Sequence, residues 1–200
     1  MTIEVRAATE YDDVRTMVGP KDLASNVCWC LSYRRIPTEV NKTLLGQARA
    51  AYVEGLCRAD PPPGVLAYDD GEVVGWAAVA PRSATSFSRS RKIPYVDDLE
   101  VWSVWCFRVR AGHRKQGIMH ALLAGAVEFA RAHDAPAIEG YPADTGDRRI
   151  DVTSGYVGTR RLFEQAGFRK AGDTASVLSG FPRVIMRLDL RQDSRRGPNP

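Results

Sequence analysis

Residues 101–120, VWSVWCFRVRAGHRKQGIMH, constrain this chain more than any other stretch. The run rich in Val, Trp and Phe reads as a strand. It breaks at Ala111-Gly112 and restarts as a helix through the basic turn Arg114-Lys115-Gln116-Gly117-Ile118-Met119. A strand that feeds a tight turn at a helix N-terminus directs several unpaired backbone N–H groups at one place. Those donors, the positive end of the helix dipole and two cationic side chains suit a phosphate or a pyrophosphate. The turn thus calls for a strand–helix unit and puts an anion site within it.

Composition narrows the setting. At 200 residues, 44% apolar and 26% charged, the chain suits one globular domain that buries a core without staples. A net charge of +4, from 28 cationic and 24 acidic residues, fits a locally bound anion better than a surface coated by nucleic acid. The start, MTIEVRAATEYDD, lacks the basic-then-apolar layout of a signal peptide. No run is apolar enough to span a membrane, so a cytoplasmic protein without a membrane partner is expected. Cys28-Trp29-Cys30 is a C-x-C pair and not the C-x-x-C of a zinc ribbon. With Cys57 and Cys106 these residues are expected to be reduced, partly buried thiols. His113, His120 and His133 form no H-E-x-x-H array, and no metal site is expected.

Along the chain, residues 3–8 read as a strand and 10–18 as a helix ended by Gly19-Pro20. Residues 21–36 are irregular but carry Trp29, Leu31 and Tyr33. Helical spacing of Val40, Leu44, Leu45, Ala48, Ala51, Tyr52 and Leu56 predicts one longer helix, stopped by Asp60-Pro61-Pro62-Pro63-Gly64. Residues 65–68 and 73–80 form a hairpin around Asp69-Asp70-Gly71-Glu72. A polar connection over 81–100 is of the length expected for a functional or mobile loop. The long strand of 101–109 follows. A helix over 118–133 carries Leu122, Leu123, Ala126, Val127 and Ala130 on one stripe. Strands at 137–141, 168–171 and 184–190, with a short helix at 159–165, complete the pattern. The expected architecture is a single α/β domain over residues 1–190. Its mixed central sheet has about six to seven strands, with helices on both faces. Residues 191–200 are expected to be a disordered tail.

This order of elements, the turn, and the late Leu162-Phe163-Glu164-Gln165-Ala166-Gly167-Phe168 resemble the GNAT superfamily of acetyl-CoA-dependent N-acetyltransferases. The resemblance spans nearly the whole chain to Leu190. The family's (Arg/Gln)-x-x-Gly-x-(Gly/Ala) phosphate motif falls on Arg114, Lys115, Gln116, Gly117, Ile118 and Met119, with Met119 where a small residue is usual. The resemblance implies that Phe107, Arg108 and Val109 pair their backbone with the pantetheine arm of acetyl-CoA. It also implies that the cofactor enters a splay between this strand and the one ending at Glu139-Gly140-Tyr141. Neither a P-loop nor a Rossmann G-x-G-x-x-G is present.

Acyl transfer to an amine requires a neutral nucleophile and a stabilised thiolate. An alkylamine of pKa 10.4 is roughly 0.04% neutral at pH 7, a deficit of about 4.6 kcal/mol. Glu100, at the head of the central strand, is the first candidate base, with Asp97, Asp98 and Glu139 as alternatives. The family's usual acid, a late-helix tyrosine, falls on Phe163, which has no proton to give. Tyr156, two turns earlier if the helix begins there, and Tyr141 are the alternative acids. Trp29 and Tyr33 are candidate pocket walls, and core packing is their other role. Three functions are carried forward. The leading one is an N-acetyltransferase acting on a small-molecule amine or a protein lysine, as a monomer or homodimer. The second is a non-catalytic acyl-CoA-binding or regulatory domain, motivated by Phe163. The third is an RNA- or aminoacyl-tRNA-directed enzyme, motivated by Arg89, Arg91 and Lys92, although no aromatic platform for bases accompanies them.

Overall fold

A computed structural model describes residues 2–22, 24–25, 29–151 and 154–191. Seven strands form one sheet: β1 (Ile3–Ala7), β2 (Gly64–Asp69), β3 (Glu72–Pro81), β4 (Trp102–Val109), β5 (Ala137–Gly140), β6 (Arg169–Leu178) and β7 (Phe181–Asp189). Their spatial order is β1-β2-β3-β4-β5-β7-β6. Every neighbouring pair is antiparallel except β4 and β5, which are joined by the crossover helix α4. The helices are α1 (Tyr11–Val18), α2 (Thr38–Thr43), α3 (Gly46–Cys57), α4 (Ile118–Ala132) and α5 (Arg160–Gln165).

Alternation along the strands divides the core in two. Val65 and Ala67 of β2 and Trp102 and Val104 of β4 face α4, whose Leu122, Leu123, Ala126 and Ala130 are buried on them together with Leu162 and Phe163 of α5. Leu66, Tyr68, Trp76 and Trp105 face the opposite way, toward Val14 and Met17 of α1 and Ala50 and Val53 of α3. Among the described residues no helix is long and apolar enough to cross a membrane.

The alternation switches within β4. Ala78 pairs with Trp105 and Trp76 with Arg108, so Ala77 faces two residues, Cys106 and Phe107. Cys106 takes φ +56°, as expected of a bulge residue in the left-handed region. Trp105 and Cys106 therefore share one face, and Phe107 turns to the α4 side. The bulge lies beyond the last β5 partner, since the parallel ladder joins only Trp102–Val104 to Ile138–Gly140. From Cys106 to Val109 the strand has β3 on one side and an opening on the other.

Four details depart from the sequence reading. The helix expected through Leu56 is two, α2 and α3, divided at Leu44-Leu45 before Gly46 with φ +49°; the apolar periodicity runs through the break. The 81–100 connection is folded around Arg82, which donates to the carbonyls of Phe87, Ile93 and Pro94 at 2.9–3.4 Å. Strand β6 runs on to Leu178 and turns into β7 at Ser179-Gly180, both with positive φ. Cys30 and Cys106 form a disulfide, with Cα atoms 6.6 Å apart across 76 residues of sequence. This corrects the expectation of reduced thiols at those two positions. That expectation rested on compartment and not on which cysteines the fold brings into reach. Cys57 is a free, buried thiol whose pKa burial pushes up to about 11. Cys28 and the tail from residue 192 lie outside the described residues.

Candidate active site

The turn after β4 has the geometry its sequence calls for. Gly117 caps α4 in the left-handed conformation at φ +78°, and no side chain occupies the cap. The first backbone N–H groups of a 15-residue helix are thus left facing outward. Lys115 also takes a positive φ, and Arg114, Lys115 and Gln116 are exposed. A Cβ built on Gly117 meets nothing within 4 Å, so the space beside its backbone is open. A cavity of about 1030 Å³ begins here. Its walls include Phe107, Arg108, Val109, Arg114, Lys115, Gly117, Ile118 and Met119, and it reaches Cys106 at the bulge. Its far wall is α5 and the segment before it. Across its mouth, His120 of α4 lies 3.0 Å from Gln165 of α5.

Beyond the bulge the cavity is lined by Ser32, Ile150, Asp151, Gly155 and Tyr156. Tyr156 reaches it from a 3-10 turn, Ser154–Val157, that is separate from α5. Gly158 at φ +77° breaks the chain between them, and the Thr159 side chain caps α5. The helix therefore does not extend back to Tyr156, and two turns of helix are not what bring that residue to the site. Its hydroxyl is 3.0 Å from that of Tyr33, whose ring stacks on Phe87. Burial pushes the Tyr156 pKa up to about 12, against the opposing charge of Arg183.

The other candidates lie elsewhere. Phe163 is fully buried and packs edge-on against Phe107 and Phe168. Gly140 leaves room for it, since a Cβ there would come within 2.2 Å of the ring. Tyr141 is 1% exposed; its hydroxyl donates to Glu139 at 3.0 Å and lies 3.2 Å from Ser103 Oγ. It belongs to a buried network and not to the cavity wall. Glu139, also 1% exposed, pairs with Arg82 at 3.0 Å and lies 3.6 Å from Arg187. Burial pushes its pKa up, while the two arginines and Tyr141 pull the other way. Asp97 pairs with Arg187 at 2.8 Å, and that contact holds its carboxyl below the usual range.

Glu100 is exposed and lines a small hollow with Asp98, His133 and Arg191 at the opposite end of β4. Six residues of extended chain, roughly 20 Å, separate Glu100 from the bulge at Cys106. Trp29 is buried and stacks on Tyr11 in the core. Arg89, Arg91 and Lys92 are exposed and outside the cavity.

Asp151, the carboxylate that does line the cavity among the described residues, was not singled out by the sequence. It accepts from the backbone N–H of Ser154 at 2.8 Å, and the Asp-x-x-Ser spacing is the only local sign of that turn. Among the described residues no group of His, Cys, Asp and Glu is placed to hold a metal ion.

The acetyltransferase (GNAT) family model matches residues 32–168, more than two thirds of the chain and the whole of the cavity's β4–α4–α5 frame. The chain belongs to the GNAT family. Membership makes it an acyltransferase that draws its acetyl group from acetyl-CoA. Solved structures agree on the fold. The chain is 17% identical to yncA of Salmonella typhimurium, a structure with its cofactor acetyl-CoA, with 100% and 99% of the two chains covered and a TM-score of 0.57. It is 20% identical to histone acetyltransferase HPA2 and related acetyltransferase of Corynebacterium glutamicum (97% and 99% covered, TM-score 0.55). It is 17% identical to an N-acetyltransferase of Staphylococcus aureus (96% and 100%, TM-score 0.55). No curated protein sequence matches this GNAT chain.

Proposed function

We propose that this GNAT protein transfers the acetyl group of acetyl-CoA to a primary amine, carried by a small molecule or by a protein lysine. One observation carries the reading. A single cavity joins the basic turn at α4 to the bulge at Cys106 and to Tyr156. The residues present fit the donor. Gly117 leaves open space where phosphates approach, Arg114 and Lys115 supply charge, Gln116 precedes the cap, and Ile118 and Met119 begin the helix. Phe107, Arg108 and Val109 line the cavity beside that turn. When bound, acetyl-CoA supplies an activated thioester carbonyl.

Asp151 receives the acceptor's ammonium and passes its proton toward water, which removes the deficit that keeps an amine from attacking at neutral pH. Tyr156 donates its proton to the sulfur that leaves. Positioning in the cavity supplies the rest of the acceleration. The test is release of free thiol from acetyl-CoA over a panel of small amines and lysine peptides. Turnover on at least one class is expected; tight acetyl-CoA binding with no turnover on any amine would instead establish a non-catalytic acyl-CoA-binding role.

A further inference from the structure

The Tyr156 hydroxyl is the end of a chain of contacts. Arg183, on β7, is 4% exposed, and its Nε–H donates to the Tyr141 carbonyl at 2.7 Å. Its Nη1 is 3.4 Å from the Tyr33 hydroxyl oxygen, and its guanidinium carbon is 5.6 Å from the Tyr33 ring centre. A guanidinium has donors and no acceptor, so this contact has one sense. Tyr33 accepts from Arg183. A hydroxyl whose oxygen is bonded by a cation becomes a stronger donor in turn. The neighbour placed to accept from it is Tyr156, at 3.0 Å. With its oxygen engaged by Tyr33, the Tyr156 hydroxyl keeps its own proton, and Tyr156 is a residue of the cavity wall.

We propose that Arg183 and Tyr33 are positioning residues that aim the Tyr156 proton at the departing sulfur and stabilise the phenolate that remains. The inference rests on the acetyl-transfer reading above and on Tyr156 as its proton donor. The balance is simple. The amine forms its C–N bond as the C–S bond breaks, and the sulfur leaves with the bond's electron pair and the Tyr156 proton. The Tyr156 phenolate, held by the Tyr33 O–H, is reprotonated by the proton that the new amide nitrogen sheds through solvent. A buried guanidinium beside two phenols, with no carboxylate in ion-pair contact among the described residues, is suited to offset that transient negative charge.

The arrangement is preorganised. Phe87 stacks on Tyr33 at 4.6 Å, and the disulfide ties the Tyr33 segment to β4 at Cys106. It also answers the loss of the late-helix tyrosine. The acid role moves to a 3-10 turn, and its supports come from two distant segments.

Tyr33→Phe keeps the stacked ring and removes the hydroxyl alone; Arg183→Lys keeps the charge, and Arg183→Met does not. Each is assayed on acetyl-CoA and on an S-acetyl aryl thiol, whose leaving group departs without a proton. On acetyl-CoA, Tyr33→Phe and Arg183→Met are expected to lose kcat by about tenfold with KM for the donor unchanged, and Arg183→Lys less. On the aryl thioester each variant should stay within about twofold of the parent. Wild-type kcat in Tyr33→Phe, or equal losses on both donors, overturns the relay and leaves acetyl transfer standing. Wild-type kcat in Tyr156→Phe removes the proton donor itself, and a parent protein that turns over no amine removes the reaction.

Discussion

Strand β4 has two halves with opposite surroundings. Trp102, Ser103 and Val104 are laddered to β3 on one side and β5 on the other, and all are buried. Beside them lies the buried ionic cluster of Arg82, Glu139 and Arg187, with the exposed Asp97 at its edge. Past the bulge, Phe107 to Val109 keep β3 but not β5, and Arg108 is exposed. The first half spends its polar groups on stability. The second half, from the left-handed Cys106 to Val109, lines the cavity. Such conformations cost about 1–3 kcal/mol and persist where the surroundings hold them. Here the disulfide to Cys30 and the core packing of Trp105 and Phe107 do so.

Three changes would break or sharpen this contrast. The largest effect is expected in the closed half. Glu139→Ala leaves Arg82, 2% exposed, without its carboxylate, and removing one partner of a buried pair costs about 3–5 kcal/mol. Urea unfolding should show that loss, while the folded fraction keeps its affinity for acetyl-CoA. In the open half, Gly117→Val puts a β-branched residue at φ +78° and a side chain into open space. Acetyl-CoA affinity by calorimetry should fall more than about 100-fold, or some 2.7 kcal/mol. Undiminished binding would move the pyrophosphate away from that turn.

The smallest effect is expected from Asp97→Asn. Asp97 is 41% exposed although its partner Arg187 is 4% exposed, so solvent screening limits the loss to under about 1 kcal/mol. The sign follows from its lowered pKa. The contribution is present above the ordinary value of 3.8 and is lost as pH falls through the lower folded value. The difference in Tm between parent and variant should therefore be seen at pH 7 and vanish in strong acid.

Much of the frame was readable from consecutive residues. Asp70-Gly71 placed the β2–β3 hairpin, the Leu122–Ala130 stripe placed the buried face of α4, and Arg114 to Met119 placed the turn. The first candidate base, Glu100, lies outside the cavity for a reason also visible in the chain. Glu100 precedes β4 and the turn follows it, so the two lie at opposite ends of an extended strand. Tyr156 was among the candidates, but on the premise of a helix that Gly158 interrupts. Tyr33 entered as a wall and not as its hydroxyl partner. Arg183 gave no signal at all, because it precedes the strand read at 184–190, and β7 begins earlier, at Phe181.

The sequence by itself determined the α/β class and the turn at which the cavity begins. Turn chemistry, helix ends and side-chain periodicity are properties of neighbouring residues. Only the tertiary structure decided what stands at the cavity's other end. Tyr33 and Tyr156 meet across 123 residues, and Arg183 joins Tyr33 across 150. The burial that raises the Tyr156 pKa exists only once the sheet, the bulge and the disulfide have closed around it. Contacts of that range, and the low dielectric they create, are set by packing.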